Sequence, residues 1–591
     1  MELPFLDLGA SRPSLLVVAA AFASIAVLYL LYYTALPKPI PGIPYHEASS
    51  RRLFGDVPAM MAHIRNEDGT FITYLEQTLQ KLNAPMVQVF IKPWSRPLLI
   101  LGDFPEARDI MMRRTAEFDR STSSGDLVRG LGPSHHIHLK TSPAWRAQRR
   151  LIQDLMSAGF LHHVAGPVMY QNVLLMVDLW RIKSRLAGGR PWAASEDVDH
   201  VAVDSVLSFA FGEDFGRRHS ATRGALDAIT ANSSTSKQLS KSPSGMDEPV
   251  TFDTVPADDV VNASLELVAA VEDVQGSPFP DLKWWWVNNK PRIKRATQIK
   301  EKYIRDEVAD AVRRLKSSTG EEFVKSAVDH MVFRESKISE KEGRKPDFFS
   351  RVVMDEVFGF IVAGNDTSST SLSWGLKYLA DNATAQFKLR KALETSFGRA
   401  AAAGGQPTIQ DITESQIPYL DAVIEETLRC SATVPVVDRQ ASTDTELLGH
   451  RVPKGSVVTC LVTGPSMMSP AFEIDEKRRT VDASKPDRPV RAWDPDGMAL
   501  FQPERWLVGQ DGAFDPLAGP QLAFGLGTRQ CYGKRLAYLE MRTLITLVVW
   551  NFELLPCPPA LSGSKPILIM TNRPKDCYVR LREVKRGTEN L

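Results

Sequence analysis

One short segment near the C-terminus constrains this chain more than any other, FGLGTRQCYGKRLAYLEMR at residues 524–542. Glycines crowd around Cys531, and apolar residues then follow at Leu536, Leu539 and Met541, a spacing typical of a helix. The pattern predicts a loop that leads into a helix. A thiolate just before a helix is stabilised by the helix dipole and by unpaired amides, so Cys531 is placed to act as an ionised ligand.

The residues around Cys531 suit a flat, acidic cofactor. Gly525, Gly527 and Gly533 would let the backbone pass close to such a group, and Arg529 supplies a cation for a carboxylate. A single cysteine before a helix is nevertheless more often an inert buried thiol than a ligand. The spacing alone does not identify the cofactor.

The segment resembles the haem-binding signature of the cytochrome P450 family, FxxGxRxCxG. Its fixed positions are filled by Phe524, Gly527, Arg529, Cys531 and Gly533. The resemblance implies haem b as cofactor, with Cys531 as the iron ligand and the loop residues, Gly525 included, against the haem. It also implies a mainly α fold, a helical bundle with small antiparallel sheets.

A second motif is AGNDTSS, which begins at Ala363 inside the apolar run VFGFIVAGNDTSSTSLSWGLKYLA. An acid and hydroxyls that interrupt a buried helix could be satisfied by bonds back to the helix backbone. In the family this stretch resembles the central helix above the haem. Asp366 and Thr367 then fill the acid and alcohol positions that relay protons during oxygen activation.

A third motif, IPYLDAVIEETLRC, places Glu426 and Arg429 three residues apart on one helical face. Taken alone, such a pair is common on the solvent-exposed face of a helix. It resembles the family's ExxR motif, for which FQPERW offers Arg505 as the third partner. The resemblance assigns these residues to bracing the fold.

Further cations fit the haem propionates by the same resemblance. Trp145 and Arg149 in AWRAQRR are similar to the family's WxxxR helix, and Arg439 lies in VPVVDRQ. Each of them alone would be read as a solvated surface residue.

The N-terminal region predicts a membrane anchor. Residues 13–37 carry no charge, which is long enough for a helix that crosses about 30 Å of hydrocarbon. The alternative is a cleaved signal peptide, but its apolar core would be shorter. Lys38, Arg51 and Arg52 follow the span, so the positive-inside rule places the body in the cytosol. We expect a single-pass protein of the endoplasmic reticulum membrane.

The chain divides on this basis into a lumenal N-terminus with transmembrane anchor (1–36), a proline-rich hinge (37–44) and a haem-thiolate catalytic domain (45–591). Strand-like segments are expected between residues 71 and 101, and mostly amphipathic helices from about 105 to 472. Residues 232–259 and 474–491 are polar and lack apolar periodicity, which predicts surface insertions. The triple tryptophan 284–286 is compatible with either the membrane interface or packing beneath a helix.

Composition narrows the range of partners. The formal charge is +1, which argues against bulk capture of nucleic acid. Five scattered cysteines without CxxC pairs disfavour a disulfide framework and a structural zinc site. A reducing compartment and an apolar partner fit best.

The family resemblance implies a monooxygenase that oxidises a lipophilic small molecule, which the surface insertions associate with specialised metabolism. Electrons would come from NADPH through cytochrome P450 reductase, with cytochrome b5 as an optional second donor. The pocket would be lined by residues 115–132, 358–363, 433–437 and 567–571. Two alternatives stay open: a reductase-independent haem-thiolate isomerase or dehydratase, and a non-enzymatic membrane haem sensor.

Overall fold

The fold was analysed in a computed structural model, which describes residues 15–67, 69–231, 245–277, 279–318, 320–480 and 490–586. Most of the N-terminal stretch before the span and large parts of both expected insertions (232–244 and 481–489) lie outside the described residues.

Helices dominate the described part of the chain. Numbered α1 to α22 in chain order, they span Leu15–Ala35, Glu47–Ser50, Val57–Asn66, Phe71–Lys81, Phe104–Met112, Ser123–Asp126, Pro143–Ile152, Ala158–Phe160, Gly166–Ala187, Ser195–Phe211, Glu213–His219, Ala221–Ala231, Asp259–Ala269, Pro280–Asn288, Pro291–Ser317, Ala327–Glu342, Arg351–Asp381, Ala383–Ser396, Gly398–Ala402, Ile409–Glu414, Pro418–Ser431 and Lys534–Asn551.

The strands are short and form small sheets. Numbered β1 to β14, they span Met86–Val89, Leu98–Leu101, Phe118–Arg120, Trp192–Ala193, Val436–Ala441, Thr445–Leu447, His450–Val452, Val457–Leu461, Leu507–Val508, Ala513–Phe514, Phe552–Leu555, Pro566–Leu568, Asn572–Pro574 and Tyr578–Glu583. The largest sheet has the order β1-β2-β8-β5-β3, and a second has the order β11-β14-β4. The pairs β6-β7, β9-β10 and β12-β13 complete the set.

The long helix α17 contributes residues to two large apolar clusters of the core. Its first half packs into an apolar cluster with α10, α15 and α16, and its second half joins another cluster with α9, α21 and α22. Gly364 lies near the midpoint, where a Cβ atom would come within 2.5 Å of the Val206 side chain on α10. Glycine at this position lets the two helices approach closely.

A buried ion network fastens α21 to the segment that precedes β9. Both oxygens of Glu426 accept hydrogen bonds from Arg429, at 2.8 Å each, and Oε1 also accepts from Arg505 Nε at 2.9 Å. Trp506 Nε1 donates to Oε2 at 2.9 Å. The side chains of Glu426 and Arg429 are fully buried. The geometry therefore joins the ExxR pair to Arg505 as the motif predicts.

The mainly helical prediction is confirmed, but several local expectations need correction. The strand-like segments MVQVFI and PLLIL form β1 and β2 as expected, whereas residues 71–81 at the start of that region form α4. One ladder, β2 to β8, runs parallel, although the other pairings are antiparallel as expected. The parallel pairing joins strands that are far apart in sequence, so no local sequence pattern predicts it.

The two polar segments expected as surface insertions are partly anchored. Val250 is buried and its amide donates to Pro191 O at 2.8 Å. Arg479 is nearly buried and pairs with Asp103 at 2.6 Å, at the start of α5. Their charge and proline content concealed these contacts, since the buried residues are isolated within polar sequence.

The tryptophans at 284–286 differ in burial. Trp284 is 3% exposed and its Nε1 donates to Asp126 O at 3.1 Å. Trp285 and Trp286 are 66% and 51% exposed on the same helix, α14. Neighbouring residues on a helix point in different directions, so one ring packs while the others face outward.

Replacing Glu426 by Gln should strongly destabilise the fold. The change leaves two arginines beside a neutral amide in a buried site, which costs about 3–5 kcal/mol when one partner of a buried pair is removed. Urea unfolding should show a lower midpoint, together with reduced haem retention. Glu504→Gln is the matched control, because Glu504 is 45% exposed and its pair with Lys388 should contribute about 1 kcal/mol or less. Equal losses in both variants would contradict the bracing role.

Candidate active site

The cysteine loop is closed by its own backbone. Cys531 N donates to Phe524 O at 2.8 Å, and Gln530 N donates to Gly527 O at 3.1 Å. Residues 527–529 form a single 3-10 turn, and α22 begins at Lys534. The loop-then-helix prediction is therefore confirmed, with Cys531 three residues before the helix.

The three glycines of the loop serve different purposes. Gly525 and Gly527 have φ values of +61° and +72°, a backbone region that L side chains rarely adopt. A Cβ atom on Gly527 would also come within 2.1 Å of Met111 O at the end of α5. Gly533 has φ −76° and caps α22, so it needs no such freedom.

The Cys531 side chain has solvent-exposed surface, yet it is surrounded by enough protein for burial to raise the pKa of its thiol. The Gly533 amide and the nearby charges of Arg120, Lys534 and Arg149 act in the opposite direction and favour the thiolate. The surroundings therefore compensate part of the cost of a buried anion.

Four arginines converge beside this thiol. Arg120 on β3 is directly opposite Arg439 on β5 in an antiparallel ladder. Burial, together with repulsion from Arg120, Arg439 and Arg149, lowers the pKa of Arg529 to about 10. Burial also lowers the pKa values of Arg120, Arg149 and Arg439. The cluster carries concentrated positive charge in a poorly solvated position.

Aromatic rings and backbone carbonyls hold this cluster in place. Arg529 donates to Leu139 O at 2.7 Å, and its guanidinium lies 4.4 Å from the centre of the Trp145 ring. Arg149 lies 3.9 Å from the centre of the Tyr532 ring, next to Cys531. Such cation–π contacts fix direction as well as position. The structure therefore places Trp145, Arg149, Arg439 and Arg529 near one another.

The expected acid and alcohol lie on α17. Thr367 Oγ1 donates to Ala363 O at 2.7 Å, within the same helix. Asp366 Oδ2 accepts a hydrogen bond from Thr571 Oγ1 at 2.7 Å. Burial raises the pKa of Asp366, although the Thr571 bond and Arg573 oppose this effect. A side-chain hydrogen bond between Ser368 and Glu540 links helices α17 and α22. Burial raises the pKa of the Glu540 carboxyl to about 8.

Sequence reasoning missed several residues of this region. Arg120 lies in an unremarkable FDRS segment, and its position opposite Arg439 arises only from strand pairing. Glu356 is fully buried and accepts from both the amide and Nδ1 of His136, at 2.8 and 2.7 Å. Burial lowers the pKa of His136 to about 3, so its ring is neutral at physiological pH. The two consecutive histidines at 135–136 were the sequence feature that could have indicated this buried contact.

The family is established by comparison with known proteins. The family model described as Cytochrome P450 matches residues 57–469 and 499–577. The chain therefore belongs to the cytochrome P450 family. The unmatched stretch, 470–498, contains the second polar segment predicted as an insertion.

Relatives specify the class further. Cytochrome P450 monooxygenase TRI13 of Fusarium sporotrichioides is 40% identical over 95% of this chain and 98% of its own length. The Hps1-dma1 cluster cytochrome P450 monooxygenase cyp3.1 of Dothistroma septosporum is 43% identical over 44% of this chain and 88% of its own. The chain is a cytochrome P450 monooxygenase.

A solved structure supports the same fold. The crystal structure of the cytochrome P450DA heme domain matches with a TM-score of 0.64 and 17% identity, and covers 93% of this chain and 99% of that chain. This similarity concerns the arrangement of helices and sheets.

The residues present fit the haem iron that family membership implies. Haem carries two carboxylates, which suit a cluster of arginines that depress one another's pKa values. The Nε atom of Arg120 is buried without a hydrogen-bond partner, as expected of a donor directed at a bound anion. Burial raises the pKa of the Cys531 thiol, but nearby cations offset part of this effect, which suits a cysteine sulfur that ligates iron.

Gly527→Ala should disrupt the cysteine loop, because the added methyl group meets a backbone carbonyl and the backbone is held at positive φ. We expect a large drop in haem bound per protein. Gly224→Ala is the matched control, since Gly224 lies on α12 and an added Cβ atom there would have no contact within 4 Å. The absorbance ratio of haem to protein measures both variants, and equal retention would contradict the close approach at Gly527.

Proposed function

We propose that this monooxygenase uses NADPH, delivered through cytochrome P450 reductase, to oxidise a lipophilic small molecule of specialised metabolism. The observation that carries the proposal is the pair Asp366 and Thr367, which lies at mid-helix on α17 beside the closely packed Gly364. An acid and an alcohol at this position serve proton delivery. An isomerase or a haem sensor would have no need of them.

Haem, when bound, would supply dioxygen activation, and the Cys531 sulfur would hold its iron. Phe524, Gly525, Gly527 and Gly533 shape the loop that faces it. The arginine cluster, with Trp145, would hold the carboxylates of this cofactor. We assign none of these residues a proton-transfer step.

Asp366 has the role of proton carrier. Burial raises the pKa of its carboxyl, which brings proton uptake and release closer to neutral pH than for an ordinary aspartate. Thr367 provides a hydroxyl one residue further on.

The substrate class follows from the surroundings. Three of the four proposed lining segments, 358–363, 433–437 and 567–571, are mainly apolar in sequence, and pockets of that kind bind lipophilic ligands. The relatives named above are fungal, and one carries a cluster designation in its name. Cytochrome b5 remains an optional second electron donor in the proposal, and nucleic acid has no part in it.

We further propose the division into residues 1–36, 37–44 and 45–591, with the catalytic domain on the cytosolic face of the endoplasmic reticulum. Within the described ranges, α1 is the one helix long and apolar enough to span a membrane. Its residues 16–34 are exposed, as expected of a helix that contacts lipid. Gln88 donates to Ile40 O at 2.9 Å and Ile43 O at 2.7 Å, which ties the hinge to the first sheet.

The spectrum of the reduced, carbon-monoxide-bound protein tests the iron ligand. We expect the strongly red-shifted band of thiolate ligation in the wild type and its loss in Cys531→Ala. Cys430→Ala is the matched control, since that cysteine lies on α21 and should leave the band unchanged. A band that survives in Cys531→Ala would refute the assignment.

The amount of product formed per NADPH consumed tests the proposed roles of Asp366 and Thr367. Asp366→Asn and Thr367→Ala should each lower product per NADPH by about 10²-fold or more, the scale of general acid catalysis, with peroxide released instead. Purified reductase and a panel of lipophilic compounds provide the assay. Turnover without reductase would favour an isomerase, and absence of turnover with intact haem would favour a sensor.

A further inference from the structure

The carboxylate of Asp366 is held away from its neighbour Thr367. A hydroxyl group has one proton, and Thr367 donates its proton to Ala363 O at 2.7 Å. Asp366 instead accepts from Thr571, which lies between β12 and β13 and is fully buried. The proton carrier is therefore bonded to a different part of the chain.

A second hydroxyl fixes the direction of this bond. Thr370 Oγ1 lies 2.8 Å from Thr571 Oγ1 and is itself 1% exposed. Because Thr571 gives its proton to Asp366, Thr370 must be the donor to Thr571. Thr370 follows Asp366 by one helical turn on α17, and the three side chains form a hydrogen-bonded chain from Thr370 through Thr571 to Asp366.

An arginine shared between two acids adds charge to this arrangement. Arg573 Nη2 donates to both oxygens of Asp199, at 3.1 and 3.0 Å. Its Nη1 lies 4.0 Å from Asp366 Oδ1. Arg573 is on β13 and Asp199 on α10, and Glu272, after α13, is the further charged group that interacts with Asp366.

We propose that Thr571 and Arg573 are positioning residues for Asp366, and that Asp199 sets how strongly Arg573 acts on it. This inference rests on the proposed role of Asp366. Since Thr571 belongs to the segment 567–571 proposed to line the pocket, a bound substrate that displaces this turn would also release Asp366.

The signs of the electrostatic effects make the proposal testable. The Thr571 hydrogen bond and the Arg573 charge lower the pKa of Asp366, whereas Asp199 raises it. Loss of Arg573 or Thr571 should therefore move the titration of Asp366 to higher pH. Loss of Asp199 should move it to lower pH, because Arg573 is then left to Asp366 alone.

Infrared spectroscopy of the ferric, full-length holoenzyme in lipid nanodiscs provides the test without a substrate. The carboxyl band of Asp366 is isolated by subtracting the spectrum of Asp366→Asn and is followed with pH. We expect an upward shift of the midpoint in Arg573→Gln and Thr571→Val, and a downward shift in Asp199→Asn. Arg573→Lys and Thr571→Ser should restore most of the wild-type midpoint.

Arg451→Gln is the matched control, because Arg451 forms an exposed pair with Asp444 at 2.8 Å on another sheet. It should leave the midpoint unchanged. Shifts of the same sign in Arg573→Gln and Asp199→Asn, or none in either, would overturn the proposal. A general loss of packing cannot produce shifts of opposite sign.

Coupling measurements separate this inference from the function on which it rests. If Asp366→Asn leaves product per NADPH unchanged, the role of Asp366 itself fails. If Asp366→Asn uncouples the enzyme but the infrared midpoints do not move in opposite directions, only the positioning role fails. Where Thr571→Val retains little haem, the Arg573 and Asp199 variants decide the outcome.

Discussion

The buried carboxylate of Glu426 is the interaction on which the rest of this structure depends. Its two oxygens accept from Arg429, Arg505, Trp506 and the amide of Gln502. A desolvated charge is tolerated only when such donors surround it, so the loop before β9 has little freedom to move. Arg429 extends the restraint by donating to Met467 O and Met498 O, at 2.8 Å each. The loop that carries the cysteine lies further along the chain, after β9 and β10.

In the active site, too, buried charges need partners of opposite charge, and here the partner would be a bound cofactor. Arg120, Arg149, Arg439 and Arg529 are gathered from β3, α7, β5 and the cysteine loop, and repulsion within the group makes the protein alone an imperfect environment for it. A cofactor with two carboxylates resolves that imbalance. Haem binding and folding of this region are therefore expected to be coupled, because the ligand neutralises charges that the fold has already desolvated.

Features with a local signature were accessible from the sequence. The cysteine loop, the long α17 and the ExxR pair each lie within a continuous segment, where spacing directly reflects helical geometry. Features formed by segments that are distant in the sequence could not be predicted from it. The parallel β2-β8 ladder, Arg120 opposite Arg439, and Arg479 against Asp103 join positions that are separated along the chain, and propensity carries no information about such pairs. The helix at 71–81 was missed for a different reason, since neighbouring strand-like residues dominated the pattern.

The sequence by itself determined the chemistry of this protein: a cysteine in a glycine-bounded loop, an acid and alcohol in an apolar helix, and arginines for acidic groups. The tertiary structure decided how those groups are used. It made Arg120 part of the cation cluster through strand pairing, and it turned Asp366 toward Thr571 and Arg573. The physical reason is that covalent spacing sets which residues share a helix face or a loop, whereas the direction of a buried side chain depends on partners that only folding brings within bonding distance.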